Sequence, residues 1–129
     1  MSDLDRICEQ IRMDFDRKTA RRDAALAQAR QLTRHASLAI RAIHREETAE
    51  AEKELASARE LAQALREGLR DDPDLYFAGY TQDALKEFVE AELTVALILN
   101  RPLPSPQDLS AEYPAYLAGL SETLGELRR

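Results

Sequence analysis

Apolar side chains recur every three or four residues along most of the chain, the period of a helix that buries one face. In the N-terminal third the stripe is Leu4, Ile7, Ile11, Phe15, Ala25, Ala29, Leu32, Ala36, Ile40 and Ile43. Lys18 and Arg22 fall on it, so the pattern predicts a long first helix that one copy of the chain packs only in part. Ser2 is a suitable N-cap for its start. Neither Gly nor Pro stops it, and a break near Arg45–Thr48 is read only from the change in charge pattern. A second stripe, Ala51, Leu55, Ala58, Ala62 and Leu65, predicts a helix over about Thr48 to Leu69, with Gly68 marking its end. Asp71-Asp72-Pro73-Asp74 is a turn that opens a third helix, read from Leu75 to Leu99 with Gly79 as its weak point. Pro102, Pro104 and Pro106 force an extended linker. Asp108 or Ser110 is then the expected cap of a last helix striped by Leu117, Leu120, Leu124 and Leu127. The fold class this predicts is all-α: one domain over residues 1–129, an antiparallel bundle of about four helices with a long first helix.

Composition narrows the class. Ala, Leu, Arg, Glu and Lys make up 72 of the 129 residues, all strong helix formers. That excludes an all-β fold, a collagen-like repeat and a disordered chain. The single cysteine, Cys8, excludes an internal disulfide framework and a Cys-based zinc site. Its place on the apolar side of the first helix reads as a small core residue rather than a nucleophile. The longest apolar run, Leu93 to Leu99, is far too short to span a bilayer, so no membrane role and a cytoplasmic location are expected. Charge is uneven: residues 1–45 carry 10 Lys+Arg against 6 Asp+Glu, and residues 46–129 carry 8 against 18. The acidic balance argues against a coat over duplex DNA but leaves room for a basic strip on one helix.

Two pairs of carboxylates are the candidate chemistry. Glu87 and Glu90 are spaced i, i+3, and Glu122 and Glu126 i, i+4, so each pair shares one face of its helix. At about 100° per residue both pairs lie opposite the richest apolar arc of their helix, which places them on water or in a wet groove. Four carboxylates converging from two helices suit a hard divalent cation, an ion able to activate water and stabilise charge on a phosphodiester. Gly119 lies on the same face as the second pair, where backbone could approach closely. A solvated acidic face is the alternative, since 14 glutamates also produce such pairs as Glu46/Glu50 and Glu50/Glu54. No E-x-x-H, H-E-x-x-H, P-loop or G-x-G-x-x-G occurs. His35 and His44, nine apart, cannot chelate one ion from a straight helix. His44 reads as a residue favourable to the helix C-terminal dipole.

Three segments carry a resemblance to the translin family, and within it to the translin-associated factor X branch in its shorter archaeal forms. They are ARQLTRHASLAIRAIHR (Ala29 to Arg45), LKEFVEAE (Leu85 to Glu92) and YLAGLSETLGELRR (Tyr116 to Arg129). The last two resemble the family's L-x-E-[FY]-V-E-A and Y-L-x-G-[LV]-x-[DE]-x-x-G-E-L-x-R. The resemblance implies an all-α bundle whose members assemble into closed shells that bind single-stranded RNA or DNA. Its factor X branch implies a Mg²⁺-dependent (or Mn²⁺-dependent) endoribonuclease. By position, the acidic pairs fall on Glu87 and Glu90 and on Glu122 and Glu126, as catalytic and metal-holding residues. Where Glu122 stands the family usually has Asp, a shorter arm with the same charge. Phosphate contacts are expected from Arg30, Arg34, Arg41 and Arg45, with Arg17, Lys18, Arg21 and Arg22 as a second strip. Tyr76, Phe77 and Tyr80 are candidates for stacking on bases. The resemblance further implies homo- or hetero-oligomers with translin-like subunits, and that the family's later C-terminal helices have no counterpart before Arg129. A non-catalytic nucleic-acid-binding or structural subunit is the alternative function.

Overall fold

The structure is a computed structural model describing residues 2–128; Arg129, the last residue of the third motif, lies outside the described residues. Among the described residues there are five helices: α1 (Asp3–His44), α2 (Thr48–Gly68), α3 (Pro73–Tyr76), α4 (Gly79–Ile98) and α5 (Tyr113–Glu126). α1 begins in a capping box. The Ser2 hydroxyl accepts from the Asp5 backbone N–H at 3.1 Å, and the Asp5 carboxylate accepts from the Ser2 N–H at 3.2 Å. α1 stops without glycine because Glu46 takes a left-handed conformation, φ 61°. Glu46 N–H then donates to Ile43 O and Glu47 N–H to Ala42 O, which together close a Schellman cap. Asn100 ends α4 in the same way, with φ 55° and bonds from Asn100 to Leu97 and from Arg101 to Ala96.

Two expectations at helix starts are corrected. The predicted third helix is two: α3 is a single turn led by Pro73, and the Thr81 hydroxyl folds back to donate to Leu75 O at 2.8 Å. The chain bends through Phe77 and Ala78 before α4 starts at Gly79. The last helix is capped neither by Asp108 nor by Ser110. Asp108 and Ser105 instead close a turn on each other, at 2.9 and 3.0 Å. Ser110 leaves that turn at φ 50°, and α5 starts at Tyr113, with Pro114 in its first turn.

α1 packs on α2 and α4, and α4 on α5. Leu32, Leu65, Leu85, Phe88, Val89 and Leu93 centre one half of the core, and Ile40, Ile43, Leu55 and Val95 the other. α2 runs antiparallel to α1 and α4. α5 runs in the same direction as α4, since Gly119 meets Lys86 and Val89 while Thr123 meets Glu90. Segment 99–112 makes this possible. α4 is about 30 Å long, and an extended chain of that segment's length reaches roughly 45 Å, enough to return to the start of α4. Buried Leu109, and Tyr116 donating to Pro104 O at 2.6 Å, fix the return path.

α1 is packed only from Ala25 onward, and residues 2–24 are exposed throughout. Leu4, Ile7, Ile11 and Phe15 therefore lie on an uncovered arm, so α1 is packed only in part, as the basic residues within the stripe predict. Cys8 is on this arm and exposed, which corrects its reading as a core residue: no second helix reaches that stretch. On α5, Leu117 and Leu124 are also exposed, and the buried face is Ala115, Gly119 and Thr123.

Gly119 is where α5 meets α4. A Cβ there would lie 2.7 Å from Val89 Cγ1 and 3.0 Å from Lys86 O. Gly119→Ala is therefore expected to cost about 1–3 kcal/mol by overpacking, read as a lower midpoint in thermal or urea unfolding. Gly125→Ala, with nothing within 4 Å of its Cβ, is the comparison and should be close to neutral. Equal effects at the two positions would show that close approach is not what Gly119 provides.

A three-carboxylate centre beside an arginine strip

The close α4–α5 contact brings acidic residues from two helices together. Ligand oxygens of Glu87, Glu90 and Glu122 lie within 4.8 Å of one another. Glu87 and Glu90 face α5 because three residues of helix return them to one side. Glu122 reaches them because Gly119, one turn before it, and Thr123, the next residue, lie against α4. The Thr123 hydroxyl lies 2.9 Å from Gly119 O and 3.3 Å from Glu90 O. Glu126 stands outside this group, its Oε2 3.0 Å from His44 Nε2 on α1.

The expectation that both pairs sit on water or in a wet groove is corrected at Glu90, which is buried at 4% exposure. α5 covers the face of α4 that the helix periodicity alone leaves open. Burial first, then the charges of Glu87 and Glu122, pushes the Glu90 carboxyl up to about 8. No donor group reaches its buried Oε2, although such groups are nearly always satisfied; what it meets is the carboxylates of Glu87 and Glu122, which share its proton. Lys86 is a member of the site that sequence reasoning missed. Its Nζ lies 2.9 Å from Glu122 Oε1 and 3.6 Å from Glu87 Oε1. The hydrogen bond to Glu122 raises the lysine above its usual range. The signal in the sequence was its i, i+4 spacing to Glu90.

Three carboxylate oxygens clustered this closely, one of them buried and reached by no donor group, fit a hard divalent cation. Such an ion takes oxygen ligands and retains water on its remaining positions. Glu87, Glu90 and Glu122 are the residues that would hold it.

Arg30, Arg34, Arg41 and Arg45 are all exposed and fall within about 60° of arc on α1. His44, which reaches Glu126, borders that arc. The strip therefore lies on the exposed face of α1, next to the side on which His44 meets Glu126. Among the described residues Arg30, Arg34 and Arg41 form no ion pair, while Arg45 is bound by Glu47 at 3.0 Å. The second strip differs: Arg17 pairs with Asp14, Lys18 with Asp74 and Arg21 with Asp72. Tyr76 and Phe77 pack edge to face, 4.9 Å between centroids. The Tyr76 hydroxyl donates to Glu112 at 3.0 Å, and Tyr80 packs on the core. Only Phe77 of the three is exposed.

A parallel α4–α5 pair carrying a cluster of acidic residues, with a long α1 beside it, defines a class of all-α scaffold with a candidate cation centre. The fold is that of the translin family. The chain is similar to AfC3PO, solved in complex with duplex RNA, at 32% identity and a TM-score of 0.86. It is also similar to apo-NeC3PO, at 22% identity and a TM-score of 0.83. These matches cover 95% and 98% of this chain but 62% and 64% of the others. An uncharacterized protein of Methanocaldococcus jannaschii is 29% identical over 115 residues, 87% of this chain. The chain spans half the length of that relative. No family model matches. Among the described residues no helix is long and apolar enough to cross a membrane.

Proposed function

We propose that the chain binds single-stranded RNA or DNA and, as a translin-associated factor X-like endoribonuclease, hydrolyses phosphodiester bonds with Mg²⁺ or Mn²⁺ held at Glu87, Glu90 and Glu122. The observation that carries this reading is the buried Glu90 Oε2, reached by no donor group, within a cluster of three carboxylates from two helices. A divalent cation held there supplies positive charge beside a phosphodiester and acidifies bound water. The protein's own residues do the rest. Glu87, Glu90 and Glu122 fix the position, Glu126 borders it on the side of His44, and Arg30, Arg34 and Arg41 line the approach for phosphates. The RNA complex of AfC3PO supports RNA as the ligand. The uncovered apolar residues of the α1 arm and of α5 support assembly with further translin-like subunits.

The test is incubation of the protein with labelled single-stranded and duplex oligoribonucleotides in Mg²⁺, Mn²⁺ or a chelator. Metal-dependent cleavage is expected, falling on the order of 10²–10³-fold in Glu87→Gln and Glu90→Gln. Cleavage by Glu90→Gln at the unsubstituted rate would overturn the site. Lys86, already seated across two of the carboxylates, favours a second reading as a non-catalytic binding subunit. Salt-dependent RNA retention without cleavage in either metal would establish that reading instead.

A further inference from the structure

Lys86 puts a positive charge where the cation reading above puts a metal. Its ammonium bridges the two helices, 2.9 Å from a Glu122 oxygen and 3.6 Å from a Glu87 oxygen. Its side chain is mostly covered, at 23% exposure. Lys86 sits four residues before Glu90 on the same face of α4, so its stem leads directly into the cluster. An ammonium and a divalent ion sharing the same carboxylate oxygens repel each other at a separation of a few ångströms, in surroundings that screen them less than water. The lysine also does, with one charge, what a metal does with two: it holds Glu87 and Glu122 together across the α4–α5 contact.

We infer that Lys86 is a tethered counter-ion. It keeps Glu122 and Glu87 assembled before a divalent ion arrives, and yields Glu122 to that ion when it binds. The site is thereby ordered in advance at the expense of affinity, and the lysine sets the ion concentration at which the centre fills. The inference rests on the divalent-cation reading of the three glutamates. It separates from a purely structural role by the sign of the effect. A lysine that only orders its neighbours strengthens metal binding, so its loss weakens the site; a competing lysine does the reverse.

The experiment is Mn²⁺ titration of the intact protein by calorimetry, without nucleic acid, in the unsubstituted protein and in Lys86→Gln, Lys86→Met and Lys86→Arg. Removing the charge in Lys86→Gln and Lys86→Met is expected to tighten Mn²⁺ binding on the order of tenfold, about 1.4 kcal/mol. Lys86→Arg, which keeps the charge, should stay near the unsubstituted value. Unchanged or weaker binding in both neutral variants would overturn the counter-ion role while leaving the metal centre standing. Absence of Mn²⁺ binding in the unsubstituted protein and every variant would remove the cation reading itself, and this inference with it.

Discussion

Glu90→Gln is expected to make the metal-free protein more stable at pH 9 and to abolish its stabilisation by Mn²⁺. The two effects share one cause. Glu90 titrates at about 8 in the folded chain against a reference value of 4.5, so between those values the folded state holds a proton that the unfolded state has lost. Stability then falls as pH rises. The contribution is complete below about 4.5 and gone above about 8. The full span corresponds to on the order of 5 kcal/mol, an upper figure for a group that shares its proton with Glu87 and Glu122. Glutamine keeps the shape and stays neutral, so the variant should match the unsubstituted protein near pH 5 and exceed it by about 2–3 kcal/mol at pH 9. A divalent ion reverses the order, because it binds the deprotonated carboxylate. An ion present at a hundred times its dissociation constant adds about 2.7 kcal/mol, and more of that gain is realised at pH 9 than at pH 6. Denaturant unfolding at both pH values, with and without Mn²⁺, reads all four conditions. Lower stability of Glu90→Gln at pH 9, or an Mn²⁺ response that survives the substitution, would contradict the assignment.

The electrostatics of the centre follow from the way α5 is delivered to it. A short turn after α4 makes α5 antiparallel, so that α5 starts beside the end of α4. The proline-containing return over 99–112 starts α5 near the beginning of α4 instead, and the two acidic segments then lie level. Gly119 allows the approach, and Glu90 is buried by it. An acid raised by burial, beside a lysine raised by its acidic neighbour, marks a perturbed cluster of the kind found at functional sites. Here geometry supports the same conclusion independently, through the buried Oε2 that no donor group reaches.

Much of the scaffold could be read from residue spacing. The α1 stripe, the Ser2 cap and the boundaries of α2 follow from local rules of helix period and capping, and the structure shows them. That α1 is packed only in part was legible as well, since Lys18 and Arg22 interrupt the stripe, but which part is uncovered was not, as the reading of Cys8 as a core residue shows. What spacing could not show depends on where separate elements meet. Glu46 ends α1 in a left-handed conformation that its residue type does not announce, whereas α4 ends where the predicted stop at Leu99 put it, ahead of Asn100 and the prolines. The Ser105–Asp108 turn has the residues of a helix cap but not the helix. Glu90 reads as a solvated glutamate on its own helix and is buried only by a partner from elsewhere in the chain. Lys86 was hidden for the same reason, because its ion pair to Glu122 joins residues on different helices.

Replacing Arg30, Arg34 and Arg41 together by glutamine is expected to weaken binding of single-stranded RNA on the order of a hundredfold at 0.1 M salt. Each phosphate contact to a single strand contributes a salt slope of about 0.7, worth roughly 0.7 of a decade in affinity at that concentration. Three contacts therefore give about two decades and lower the slope by about 2. The loss should be uniform across sequences, since phosphate contacts position a strand without reading its bases. Wild type and variant should converge near 1 M salt. The structure supplies a matched control on the same helix. Arg17→Gln with Lys18→Gln removes the same kind of charge, but these side chains are already neutralised by Asp14 and Asp74. That double variant should lose less than about threefold. Mn²⁺ affinity should be unchanged in both, because none of these arginines touches the carboxylates. Fluorescence anisotropy across a salt series measures the affinities and slopes together. Equal losses in the triple and the control, or a triple variant with an unaltered slope, would place the phosphates on another face of the molecule.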